Sequence, residues 1–159
     1  MATASVTPDQ DLVVAEIHVA APPERVFAAI SDPAQVSQWW GQAGMYRTTK
    51  WQSDLRVGGK WRSDGMGADG TPFHVRGEYL AYLPPTLLVH TWVASYMADL
   101  KTTVRWELKA EKGGTQVTLR HSGFAGHADG ANSHGQGWIR VLGWMQGFVE
   151  KGETVDSRG

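Results

Sequence analysis

The chain has 159 residues, 42% apolar and 19% charged, with a formal net charge of -1, which fits one ordered globular domain and excludes a disordered chain. So neutral a balance gives no general attraction for nucleic acid or an anionic membrane, and the absence of cysteine excludes disulfides, thiol chemistry and zinc ribbons. The first ten residues are too short and polar for a signal peptide and no stretch approaches a membrane span, so a cytoplasmic protein without membrane insertion is expected.

Residues 1–10 read as a flexible terminus. Leu12 to Val19 alternates, with Val13, Ala15, Ile17 and Val19 on one side and Glu16 and His18 on the other, and predicts a strand. Pro23 suits the first turn of a helix, Glu24 its positive end, and Val26, Phe27 and Ile30 its apolar side. Asp32 is a cap for a second short helix that starts at Pro33 and runs to Trp39-Trp40. Gly41 to Gly44 then closes the helical pair.

From Tyr46 the period changes to two. Strands are predicted at 46–55, 59–64, 73–82, 87–95, 101–110 and 115–122, separated by Gly58-Gly59, Asp69-Gly70, Pro84-Pro85 and Gly113-Gly114. Such short connections allow antiparallel hairpins and exclude parallel crossovers. Thr102, Val104, Trp106 and Leu108 oppose Thr103, Arg105, Glu107 and Lys109, so one face of the sheet is apolar and the other wet. Residues 123–137 read as a polar, glycine-rich loop in which Asn132 or Ser133 caps the next helix. That helix, Gly137 to Glu150, carries Trp138, Val141, Leu142, Met145, Phe148 and Val149 at spacings of three and four. Residues 11–151 therefore form the expected single domain, with 152–159 a second flexible terminus. Seven antiparallel strands with one wet face need cover on the other, and the long helix with the small helical pair supplies it.

Gly65, Gly67 and Gly70 spell GxGxxG, but Thr71-Pro72-Phe73 leads into a strand and not into a helix, so the segment reads as a hairpin loop. His121, His127 and His134 match no metal-ligand spacing, and neither a metal nor a cofactor is expected. Glu78, Asp99, Glu107 and Glu111 form no recognisable acid/base pair. His121 shares a face with Val117 and Leu119; it reads as a satisfied histidine at the end of a sheet or, functionally, as the one candidate catalytic or ligand-bonding group. Gly143 and Gly147 leave a strip of the helix bare, either for close approach of another segment or for a ligand. Among the eight tryptophans and other rings, Trp61, Tyr79, Trp92, Trp106, Trp138, Trp144 and Phe148, together with His121, are the candidate pocket residues.

APPERVFAAISDPAQVSQWW (21–40), GGKW (58–61), LRHSGF (119–124) and the Gly143-Trp144 pair resemble homologues of the heat-shock protein 90 ATPase activator's C-terminal domain. That family lies in the START-like, birch-pollen-allergen-like (SRPBCC, polyketide cyclase/dehydrase and lipid transport) superfamily, and the similarity covers about residues 12 to 151. The resemblance implies an α+β helix-grip fold, in which a curved seven-stranded antiparallel sheet wraps the C-terminal helix around a hydrophobic cavity. Trp39, Trp61, His121 and Trp144 match its pattern as structural positions. The functional expectation is binding of a small hydrophobic or aromatic ligand by a monomer or homodimer. The alternatives are a cyclase/dehydratase-type enzyme using His121 with a nearby carboxylate, and a chaperone-associated interaction module.

Overall fold

The computed structural model describes residues 2–98 and 100–158. Two strands, β1 (Thr3–Val6) and β2 (Leu12–Val19), precede the helical pair α1 (Pro23–Ser31) and α2 (Pro33–Trp39). Then come β3 (Gly41–Gln42), β4 (Tyr46–Ser53), β5 (Lys60–Gly67), β6 (Pro72–Leu83) and β7 (Leu87–Ala94). A 3-10 turn at Ser95–Met97 leads to β8 (Lys101–Glu111), β9 (Gly114–Ser122) and finally α3 (Ala128–Lys151). The strands form one sheet in the order β1-β2-β9-β8-β7-β6-β5-β4-β3. Each neighbouring pair is antiparallel, as the short turns require. This is a helix-grip, START-like fold: the sheet curves around α3, and α1 and α2 fill the gap left between sheet and helix.

The local chemistry explains the elements. Pro23 opens α1 after the extended Pro22, and the Asp32 carboxylate accepts from the Ala34 N–H at 3.0 Å to cap α2. Val13, Ala15, Ile17 and Val19 of β2 are fully or almost fully buried, and Thr102, Val104, Trp106 and Leu108 of β8 join them. On the outer face Glu107 pairs with Arg120 and, at 3.7 Å, with Arg105. These pairs are half-exposed and contribute little to stability.

Three expectations are corrected. Part of the amino-terminal segment read as loose is a strand: Thr3–Val6 extends the sheet against Val13–Glu16 of β2, and Val6 and Val13 also face Gly135 of α3. The carboxyl terminus is also held, with Val155 buried and Arg158 donating to the carbonyls of Trp39, Gly41 and Trp144. And α3 begins at Ala128, inside the segment read as a loop. There Ala131 is fully buried and Gly135 packs on β1 and β2, so tertiary contact overrides the low propensity of the intervening glycines. With β1 and the two-residue β3, the sheet has nine strands among the described residues. Asp99 lies outside those residues.

Candidate functional site

A cavity of about 400 Å³ lies between α3 and the half of the sheet formed by β4 to β7. Its walls are built from the sequence by three separate devices. The first is the α2–β3 corner. Trp39 is fully buried and its indole N–H donates to the Ala29 carbonyl at 2.9 Å, which locks the end of α2 onto α1. Trp40, stacked on Trp39, then enters the cavity, and its N–H donates to the Tyr46 hydroxyl at 3.1 Å.

The second device is a break in the alternation of β4. Tyr46 and Thr48 face the cavity, but the register shifts between Thr48 and Lys50, so that Trp51 and not Lys50 faces in. Trp51 stacks on Trp61 at 5.2 Å, and its N–H is tied to the Ser53 hydroxyl. The third is a pair of glycines on neighbouring strands. A Cβ on Gly77 would meet the Thr91 carbonyl oxygen at 2.0 Å and Trp61 Nε1 at 2.5 Å, so glycine there makes room for the bond from Trp61 Nε1 to that same oxygen. Gly65 likewise leaves space for the Phe73 ring, 2.5 Å from where its Cβ would stand.

From α3, the residues Ser133, Gly137 and Arg140 lie along the rim at helical spacing, with His134, Trp138 and Val141 one step deeper. The exposed lining residues are Thr71 on the β5–β6 hairpin, Tyr96 in the 3-10 turn, and Ser133 and Arg140 on α3, which places the mouth between those elements. Tyr96 stands over His134, its hydroxyl 3.5 Å from Nε2. Although much of the Tyr96 side chain is exposed, desolvation by its neighbours pushes its pKa up to about 12. Burial raises the Tyr46 hydroxyl as well, with the Trp40 N–H and the positive charge of Arg140 opposing that rise. Burial lowers His134, favouring its neutral form.

Four of the five lining tryptophans turn their N–H away to protein acceptors: Trp40, Trp51 and Trp61 as described, and Trp138 to His121. Trp92 is the exception. Its Nε1–H is buried with no acceptor at hydrogen-bonding geometry; the Tyr96 phenol feels this N–H but stands outside that geometry. No carboxylate lines the cavity among the described residues.

Of the residues proposed from the sequence, Trp61, Trp92 and Trp138 line this space. The other five lie elsewhere. Tyr79 is buried beside it, its hydroxyl 2.9 Å from Ser53 Oγ and its pKa pushed up to about 12 by burial. Trp106 packs edge-on behind Trp138 at 5.7 Å. Trp144 bonds Gln42 through its N–H at 3.2 Å, and Phe148 is covered by the Arg25 guanidinium at 5.1 Å. Gly143 faces open space and Gly147 faces Glu153, so neither helix glycine serves the cavity; Gly137 does.

His121 takes the first of its two readings, the satisfied buried histidine, and does not reach the cavity. It is fully buried behind Trp138, and both of its ring nitrogens are in use. Nδ1 accepts from Trp138 Nε1 at 3.0 Å, which leaves the proton on Nε2 to be donated to Thr102 Oγ1 at 2.7 Å; that hydroxyl then donates to the Trp92 carbonyl at 3.0 Å. Desolvation, then the nearby His134 and His90, hold its pKa well below the ordinary histidine value. No carboxylate is hydrogen-bonded to it among the described residues, and it is closed off from any substrate in the cavity. The acid/base pair that an enzyme of the cyclase/dehydratase type would use is therefore not formed around His121. Among the described residues no group of three histidine or acidic side chains is placed to hold a metal, and no helix is long and apolar enough to cross a membrane.

Comparison with known proteins places this architecture. A solved structure from Nitrosomonas europaea superposes with a TM-score of 0.79 at 16% identity, covering 92% of this chain and 98% of that one. One from Chromobacterium violaceum gives 0.78 at 23% identity, with 88% and 97% covered. The solution structure of an AHSA1-like protein from Aeromonas hydrophila gives 0.74 at 25% identity, with 89% and 93% covered. No curated protein matches the sequence. The model of the family described as Activator of Hsp90 ATPase homolog 1-like protein matches residues 20–150, most of the chain and all of the cavity's lining, and the chain belongs to that family.

Proposed function

We propose that this protein binds one small, flat, apolar molecule in the cavity between β4–β7 and α3. The observation that carries the reading is the arrangement of Trp40, Trp51, Trp61, Trp92 and Trp138 around open space. A core packed for stability alone leaves few voids larger than a water molecule, whereas 400 Å³ is equivalent to roughly a dozen waters and falls in the range of small-molecule pockets. Four of the indole N–H groups are satisfied within the protein, so those four tryptophans offer π-faces and ring edges with no polar demand. Aromatic guests match such walls best, because offset stacking and edge contacts add to simple area burial.

The test combines two measurements. Native mass spectrometry of freshly purified protein is expected to show a retained small molecule. Titration with the neutral aromatic 2-naphthamide is expected to quench or shift the tryptophan fluorescence saturably. No adduct, together with no saturable response up to the solubility limit, overturns the reading.

A further inference from the structure

We infer that the ligand of this cavity is an aromatic acid, its ring among the tryptophans and its carboxylate at Arg140. The inference rests on the binding reading above and adds the sign of the ligand's charge.

Three observations lead to it. The first concerns Arg140. Arg47, Arg56, Arg62, Arg105 and Arg120 each pair with a carboxylate. Arg25 bonds Gln35, Arg158 bonds three carbonyls, and Arg76 is also engaged. Among the described residues Arg140 alone of the arginines carries no hydrogen bond or ion pair, and it stands on the cavity rim. The second is the aromatic wall itself, Trp40, Trp51, Trp61, Trp92 and Trp138, which takes the ring of a ligand and offers it no charge. The third is the absence of any carboxylate from the lining among the described residues.

These observations separate two kinds of guest. A ring of tryptophans is also what a quaternary ammonium would use, through cation–π attraction. Here, however, the fixed charge at the rim is positive and no carboxylate lines the cavity among the described residues, so a cation is repelled. The one charged side chain of the lining among the described residues, the Arg140 guanidinium, is a donor that cannot accept. A carboxylate supplies acceptors for it in a geometry suited to the planar guanidinium. The apolar part must still reach the walls, which excludes small inorganic anions.

The experiment compares two probes of nearly equal shape, 2-naphthoate and 2-naphthamide, by tryptophan fluorescence and calorimetry. Naphthoate is expected to bind about tenfold more tightly than the amide, the scale of one hydrogen bond to a charged group. Arg140→Gln is expected to remove that preference, read as the ratio of the two probes' affinities in the same variant, and Arg140→Lys to keep most of it. As a check independent of any variant, raising salt to about 1 M, where screening acts within about 3 Å, should weaken naphthoate and not naphthamide. If the amide binds as well as the acid, or the preference survives in Arg140→Gln and resists salt, the charge assignment is wrong while the binding reading stands. If neither probe binds, the binding reading itself fails and takes this inference with it.

Discussion

The indole N–H of Trp138 donates to Nδ1 of His121 at 3.0 Å, so a residue on the cavity wall is oriented by one fully buried behind it. The chain of bonds continues through Thr102 to the carbonyl of Trp92, another wall residue. His121 is thus the strut that joins α3 to β7 and β8. His121→Leu keeps the volume roughly constant but strands the buried Trp138 N–H and removes the donor to the Thr102 hydroxyl, which keeps its own bond to the Trp92 carbonyl. A stranded buried donor costs about 1–3 kcal/mol, so a loss of about 2–3 kcal/mol is expected in urea unfolding. A variant with an unchanged urea midpoint would remove His121 from this role.

Acid should destabilise the fold before its carboxylates titrate. His90 is buried between Trp61 and Tyr79, and desolvation lowers its pKa from 6.5 to about 4. His121 is lowered in the same direction. Above pH 6.5 both states are neutral and these groups add no pH dependence. As pH falls below that value the unfolded chain takes up protons that the folded chain refuses, so stability declines until His90 itself titrates near 4. The slope approaches about 1.4 kcal/mol per pH unit for each such histidine, or about 3 kcal/mol from His90 over the whole window. Urea midpoints measured from pH 7 down to pH 5 should fall, and His90→Gln should shallow the slope by about one proton. Equal slopes in the two proteins would contradict this account.

The fold was legible where a single period governed the residues. The alternation of β8 and β9 read directly onto the buried and wet faces, because both strands are regular and bury one face only. The cavity was legible only in part. Trp61, Trp92 and Trp138 follow the period of their elements, whereas Trp51 faces in only because of the shift after Thr48, and a strict period of two assigns Lys50 to that side. Arg140 was hidden differently: the apolar stripe of α3 identifies the side that packs, while the cavity opens at the stripe's edge, where a polar residue looks merely solvated. The Trp39-Trp40 pair was visible as sequence, but which ring packs and which lines the space depends on the turn into β3. The helical start at Ala128 was masked by Gly130, Gly135 and Gly137, whose low propensity is overridden by contacts from β1 and β2.

The carboxyl-terminal segment should behave as a clamp. Arg158 donates to the carbonyls of Trp39 at 2.6 Å, Gly41 at 2.9 Å and Trp144 at 2.8 Å, and lies over the Trp144 ring at 5.7 Å. It ties the end of α2 to α3 at a corner where no regular hydrogen-bond ladder joins them. Arg158→Ala is expected to cost about 2 kcal/mol, discounted for partial exposure. Arg158→Lys should recover little of it, because one ammonium cannot span three carbonyls as the guanidinium fork does. Amide exchange near Trp39 to Gly41 should accelerate in both variants; full rescue by lysine would count against the fork geometry.

The two glycines of α3 that a Cβ would leave without contacts should respond oppositely in function. Gly143 is exposed and nothing lies within 4 Å of an added Cβ; the same space exists at Gly137, but there it is the cavity. Alanine at either position should stabilise the helix by about 0.5–1 kcal/mol, since glycine is a poor helix former and no neighbour is displaced. Leucine separates them. Gly143→Leu projects into solvent and should leave the affinity for 2-naphthamide intact, whereas Gly137→Leu fills the space beside Trp138 and should weaken it about tenfold or more. That loss must come without loss of fold, so the urea midpoint is measured alongside. If Gly137→Leu binds the probe like the wild type, the bound site lies somewhere other than the tryptophan-lined cavity.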